Sequence, residues 1–102
     1  MNIQDLMKQA QQMQQLQERL QKEMATLSVE GNAGGGMVTV RVNGGKQLQS
    51  ITIDPEVVSK DDVGMLQDLI VAAVNDAQRK ADEEMAGKMR GMLPPGINLP
   101  GM

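Results

Sequence analysis

Apolar residues recur along the first third of the chain at Ile3, Leu6, Ala10, Met13, Leu20, Met24 and Leu27, a 3.5-residue repeat broken only by Gln17. Such a repeat predicts a long amphipathic helix with a coiled-coil-like seam. The helix should end near Ser28, because Gly31, Gly34, Gly35 and Gly36 follow and a helix does not tolerate glycine at that density. The period then changes to two. Residues 37–43 alternate, with Val38, Val40 and Val42 on one face and Thr39 and Arg41 on the other; Gln49, Ile51 and Ile53 resume the alternation after Asn43-Gly44-Gly45. This is the pattern of a hairpin with one buried face. Residues 29–33 are short and thin in apolar side chains, and they predict a third, edge strand. Asp54-Pro55 stops the last strand, and Ser59-Lys60-Asp61-Asp62 places a capping hydroxyl three residues before a carboxylate at the start of an apolar run. A second long helix should start there and run to about Arg90, closed by Gly91 and a Pro- and Gly-rich stretch. The expected organisation is one α+β domain of α-β-β-β-α order: a helix arm over 1–29, a three-stranded antiparallel sheet over 30–54, a helix arm over 59–90 and a tail over 91–102.

Within the second helix, "LIVAAV" (residues 69–74) is apolar almost all the way round. A helix lying on one sheet face cannot bury such a run by itself. A second copy of the chain is the economical cover, which makes Leu66, Leu69, Ile70 and Val74 candidate dimer-interface residues. Helices of about 26 residues reach roughly 40 Å, whereas strands of about seven residues reach roughly 24 Å. Both helices must therefore overhang the sheet, and the overhanging ends, around Leu6 and around Lys88, should point the same way.

Composition narrows the chemistry. The 102 residues include no cysteine, histidine or aromatic side chain, which removes thiolate chemistry, imidazole acid/base work, the usual zinc ligands and base-stacking rings together. No enzymatic activity and no cofactor are expected. No apolar run approaches the roughly 18 residues of a membrane span, and the start of the chain reads as a polar periodic stretch rather than a targeting segment, so a cytoplasmic protein with no membrane partner is expected. Gly34 to Gly36 lack the Gly-Lys-Ser/Thr that would complete a phosphate loop and serve a flexible strand entry, and Asn43-Gly44-Gly45-Lys46 reads as turn chemistry. Asp54, Glu56, Asp61 and Asp62 lack the alternating spacing of a calcium loop, and turn and cap roles explain them, so no metal is assigned. Met85, Met89 and Met92 fill space that aromatic residues fill elsewhere.

The formal net charge is −3, but its distribution is uneven: residues 1–30 carry −1, 31–53 carry +2, 54–76 carry −5 and 77–102 carry +1. On the first helix Lys8, Gln12, Gln15, Arg19 and Lys22 fall on one stripe opposite the seam, with Asp5 at its N-terminal end and Glu18 and Glu23 on the flanks. Two readings are open. Glutamine is a good neutral helix former, and the stripe is then a solvated face. Alternatively it is a surface for a polyanion, with lysine and arginine on phosphates and glutamine donating to phosphates or base edges. On the last helix Arg79 and Glu83, Lys80 and Glu84, and Glu84 and Lys88 are spaced to neutralise one another, which leaves Arg90 without such a partner.

In order along the chain, "LMKQAQQMQ", "GGGMVTVRVNGG", "ITIDPEVV", "LQDLIVAAVNDAQRKADEE" and "GMLPPGINLPG" resemble the YbaB/EbfC family of bacterial nucleoid-associated proteins. The resemblance covers nearly the whole chain, although Val74 stands where relatives often carry an aromatic. It implies a tweezer-like homodimer, association with the nucleoid, and non-catalytic binding of double-stranded DNA with little sequence specificity through the projecting first and last helices. Carried onto this chain, the basic residues that would contact DNA are Lys8, Arg19 and Lys22 on the first helix and Arg79, Lys80, Lys88 and Arg90 on the last; Gln12 and Gln15 join them from the stripe. No small-molecule substrate is expected. The competing reading is a protein-interaction adaptor that uses the glutamine- and methionine-rich helices, with DNA binding incidental.

Overall fold

A computed structural model of the chain describes residues 2–92. Asn2 caps the first helix, α1 (Ile3–Thr26), by accepting the Asp5 backbone N–H at 2.8 Å. At the other end the Thr26 hydroxyl donates back to the Lys22 carbonyl at 2.8 Å, and Leu27 leaves in an extended conformation. The helix thus ends before Ser28, and the chain passes directly into β1 (Ser28–Ala33), which pairs antiparallel with β2 (Val38–Asn43). β2 pairs in turn with β3 (Leu48–Ile53), giving a sheet in the order β1-β2-β3. The order α-β-β-β-α expected from the pattern is the one observed.

The two turns use glycine differently. Gly34, Gly35 and Gly36 all have positive φ (63°, 69° and 96°), so the β1–β2 turn requires residues without a Cβ. In the β2–β3 turn the left-handed residue is Lys46 (φ 65°), not either glycine. Gly44 answers a packing demand instead: an added Cβ would meet Met24 Cα at 2.7 Å and Met85 Sδ at 2.8 Å. Its N–H donates to the Met24 carbonyl at 2.8 Å, which fastens the root of α1 to the sheet.

The second long helix, α2 (Val63–Met92), begins three residues later than the Ser59 cap predicts. Asp54 caps a short 3-10 turn over Pro55–Val57, the Ser59 hydroxyl is used locally by the Asp61 N–H, and Asp62 accepts the Met65 N–H at 3.1 Å. Asp62 is therefore the helix cap. Gly91 does not close the helix, which continues to Met92; from residue 93 on, the expected tail lies outside the described residues.

The core lies between α2 and the sheet. Val38, Val40 and Val42 are fully buried against Ala73, Ala77 and Ala81, a stripe of small residues four apart on α2. Alanine there lets the helix axis approach, and Gly31 on β1 completes the fit, with the backbone of Ala73 and Ala77 passing over it. Val29, Ala33, Ile53, Leu66, Leu69, Ile70 and Val74 ring this cluster, each partly buried.

The seam predicted for α1 is not covered by the described residues of its own chain. Ile3, Leu6, Ala10, Met13, Gln17 and Met24 are exposed; among seam positions only Leu20 and Leu27 are partly buried, joined by Leu16 and Glu23 from beside the seam. The reason is reach, since only the last turns of α1 lie near α2 and β2. The described chain accordingly measures 70 × 22 × 16 Å with a radius of gyration of 19.3 Å, against about 13 Å for a compact chain of 100 residues. Both helices do overhang the same end of the sheet, but unequally. Lys88 sits beside Glu23 at the root of α1 (3.0 Å), not beside Leu6, so among the described residues the outer part of the arm is α1 alone. Every residue from Ile3 to Gln15 is exposed.

Candidate nucleic-acid interface

On α1, all five residues of the basic and amide stripe, Lys8, Gln12, Gln15, Arg19 and Lys22, are exposed. Successive members are three or four residues apart, so the 3.6-residue turn stacks them along one side of the arm. Among the described residues none of the three cations forms an ion pair; the pairs present are all elsewhere. The side of α1 that meets the rest of the chain is the one carrying Leu16, Leu20, Glu23 and Leu27, which leaves the stripe open to solvent.

The cations of α2 are differently placed. Arg79 lies between Asp76 and Glu83, at 2.8 Å from each, and Lys80 reaches Asp76 at 3.0 Å. Of the three pairs expected from spacing, only Arg79 with Glu83 forms. Lys80 turns to Asp76 and Lys88 to Glu23, so Glu84 has neither partner. Arg90 is exposed and, among the described residues, outside any ion pair.

Asp76 is the centre of this network and was not singled out by the sequence pattern. Besides the two cations it accepts the Asn32 backbone N–H at 3.0 Å, on the open edge of β1. That backbone hydrogen bond, followed by those from Lys80 and Arg79, lowers its carboxyl pKa to about 2 from 3.8. The same contact to Asp76, with Glu83, raises the pKa of Arg79. Asp76 thereby blocks a strand edge that would otherwise be open to pairing. Its positions relative to Arg79 (i,i+3) and Lys80 (i,i+4) were a local signal for the ion pairs. The strand contact, between residues 44 apart in sequence, had none.

The candidate interface residues Leu66, Leu69, Ile70 and Val74 lie on the flank of α2 around the core, partly buried. Leu69 stands against Gly34 in the β1–β2 turn, a contact within the chain. Ile70 and Val74 share a flank with Gln78 and Asp82, which reach Lys46 in the β2–β3 turn. Beside that flank, Leu48 and Ile51 of β3 pair with Val42 and Val40 and face the same side of the sheet, yet they are 51% and 41% exposed because α2 lies over β1 and β2. Val71, on the same flank of α2, is 59% exposed, and with them it gives an apolar shelf that the described residues leave uncovered.

A shallow groove of about 450 Å³ runs along Val29, Lys80, Glu83, Glu84, Gly87 and Lys88. Its two acids offset its two lysines, which makes it a poor seat for an anion. Among the described residues no three metal-ligating side chains gather, and no helix is long and apolar enough to cross a membrane.

Residues 1–97 match the sequence model of a family described as the YbaB/EbfC DNA-binding family. The chain is 54% identical over its full length to a nucleoid-associated protein of Clostridium novyi, covering 89% of that protein. It is 53% identical over 88% of its length to one of Chloroflexus aurantiacus, covering 90% of it. Over 99% of its length it is 50% identical to a further one from Caldanaerobacter subterraneus, again covering 90%. Its fold is similar to the crystal structure of an uncharacterized protein from Helicobacter pylori, with a TM-score of 0.76, 24% identity, and coverage of 92% of this chain and 99% of that one.

Proposed function

Because the chain belongs to the YbaB/EbfC DNA-binding family, we propose that it is a non-catalytic nucleoid-associated protein. In this reading it binds double-stranded DNA as a homodimer through its projecting helices, with low sequence specificity, and so organises the chromosome and modulates transcription. The observation that carries the reading is the α1 stripe: three cations without ion-pair partners among the described residues, on an arm that those residues leave bare. In a protein of net charge −3, the stripe sets Lys8, Arg19 and Lys22 on one side of an arm whose residues 3–26 are neutral overall, away from the acidic stretch over 54–76. The uncovered shelf of Leu48, Ile51 and Val71, next to Ile70 and Val74, supports the dimer, because a second copy would bury on both sides what one copy exposes.

The test is binding of random and AT-rich duplexes, followed by fluorescence anisotropy over a range of salt. Lys8→Glu with Lys22→Glu should weaken binding to every duplex about equally, since phosphate contacts position a protein without reading sequence. Removing one lysine–phosphate pairing should lower the slope of log affinity against log salt by about 0.9, and a dimer doubles the effect. Sedimentation equilibrium should find a dimer at micromolar concentration, and Ile70→Asp should dissociate it. Wild-type affinity and slope in a dimeric Lys8→Glu/Lys22→Glu protein would instead favour the adaptor, with Ile3, Leu6, Met7 and Met13 on the bare arm as its gripping surface.

A further inference from the structure

Resting on that DNA-binding reading, we infer that α1 enters the major groove, with Gln12 and Gln15 at adenine edges between Lys8 on one phosphate strand and Arg19 and Lys22 on the other. Three features of the arm lead there. The first is bareness. A helix with its side chains is about 10–12 Å across, which matches the roughly 12 Å width of the B-DNA major groove and exceeds the roughly 6 Å of the minor groove. Entry requires that nothing else of the chain stand beside the helix, and from Ile3 to Gln15 every residue is exposed. α2 cannot enter in the same way, because its length over the sheet is committed to the core through Ala73, Ala77 and Ala81.

The second feature is the order of chemistry along the stripe. From Lys8 to Arg19 the helix rises about 17 Å, and to Lys22 about 21 Å. A straight helix lying along the curving groove touches its floor only over its middle turns, so cations spaced this far apart toward its two ends meet the phosphates of the two flanking strands rather than the floor. Gln12 and Gln15 fall between them, separated by a rise of about 4.5 Å, slightly more than the 3.4 Å step between base pairs. Glutamine presents one donor and one acceptor side by side, the complement of adenine N7 and N6 in the major groove.

The third feature is electrostatic. Arg79, Lys80 and Lys88 are engaged by Asp76, Glu83 and Glu23, whereas the stripe cations have no ion pair to break among the described residues. Phosphates therefore meet α1 at lower cost than the paired part of α2. Two glutamines per arm read one or two base pairs, which yields a short, tolerant preference for adenine in keeping with low overall specificity.

The experiment compares an A·T-rich duplex with the same duplex carrying 7-deazaadenine, which lacks only the N7 acceptor of the major-groove edge. The wild-type protein should bind the 7-deaza duplex about fivefold or more weakly, in line with the discrimination a bidentate base contact provides. Gln12→Ala/Gln15→Ala should bind both duplexes alike while keeping the wild-type salt slope, and Lys8→Glu/Lys22→Glu should lose affinity for both in equal proportion. Equal wild-type affinity for the two duplexes would overturn the groove assignment and leave DNA binding standing. Failure to bind either duplex would overturn both readings.

Discussion

Gly31→Ala tests the seat on which the arm depends. The added Cβ would lie 2.6 Å from the Ala73 carbonyl oxygen and 2.6 Å from Ala77 Cα, and closer still to the Ala77 backbone nitrogen. All three are backbone atoms, so no change of rotamer relieves the clash. With ordinary contact beginning at 3.4 Å and the Ala77 nitrogen at 2.2 Å, α2 must retreat by about 1.2 Å. A gap of that size forfeits about half of the dispersion attraction across it. Here it opens along Ala73, Ala77 and Ala81 against Val38, Val40 and Val42, which with Val57 make up the buried core. Overpacking costs about 1–3 kcal/mol, and a clash against backbone belongs at the upper end, about 3 kcal/mol. For a domain of this size that corresponds to a fall in Tm of roughly 12–24 °C. Circular dichroism melts at one fixed protein concentration measure it, since dimerisation makes Tm depend on concentration. Gly87→Ala is the control: it lies inside α2 with nothing within 4 Å of an added Cβ, and it should stabilise by about 0.5–1 kcal/mol. A Gly31→Ala protein melting within about 2 °C of wild type would mean that α2 does not cross β1 at backbone distance.

The ion pairs give two further predictions. Asp76 has a pKa lowered to about 2, so its contribution to stability is fully present above the unfolded carboxylate range near 3.8 and is lost as pH falls through about 2; urea midpoints of wild type and Asp76→Asn should differ clearly at pH 6, draw together as pH falls below 3.8 and converge only below about 2. Glu23→Gln frees Lys88 at the root of the arm, so it should steepen the salt slope of DNA binding by about 0.9 per protomer and cost less than about 1 kcal/mol in a melt; an unchanged slope would place Lys88 away from the phosphates.

What the sequence disclosed depended on how locally each feature is caused. β2 was legible because Val38, Val40 and Val42 alternate with polar residues and all three are buried. β1 was faint because its central residue, Gly31, is chosen for contact with a helix backbone over 40 residues away, which leaves no apolar mark at its own position. The α1 repeat correctly indicated a long helix with an apolar side, but periodicity does not say who covers that side. Within the chain only Leu20 and Leu27 of the seam are partly buried. The Ser59 hydroxyl looked like the cap of α2, but the cap lies three residues further on, at Asp62, because the Ser59 hydroxyl accepts the nearby Asp61 N–H while Asp62 takes the Met65 N–H. Of the candidate site, the stripe was readable from spacing. The diversion of Lys88 to Glu23 was not, since it joins residues from opposite ends of the chain.

The bare arm also accounts for the composition. A helix that must remain uncovered gains little from burial, and an isolated helix depends on propensity and capping to persist in water. α1 accordingly has no buried residue, is rich in glutamine, leucine and methionine, which are good helix formers, and begins at a well-made Asn2 cap. The rest of the chain offsets the missing core by closeness rather than bulk: no aromatic residue, but valine against alanine, and glycine under the helix backbone. That small, tight block then holds the root of the arm at two points, the Gly44 N–H on the Met24 carbonyl and Lys88 on Glu23. Both points lie at the C-terminal end of α1. The outer turns, which carry Lys8, Gln12 and Gln15, are left with every side chain in solvent, the condition for lying along a groove in another molecule.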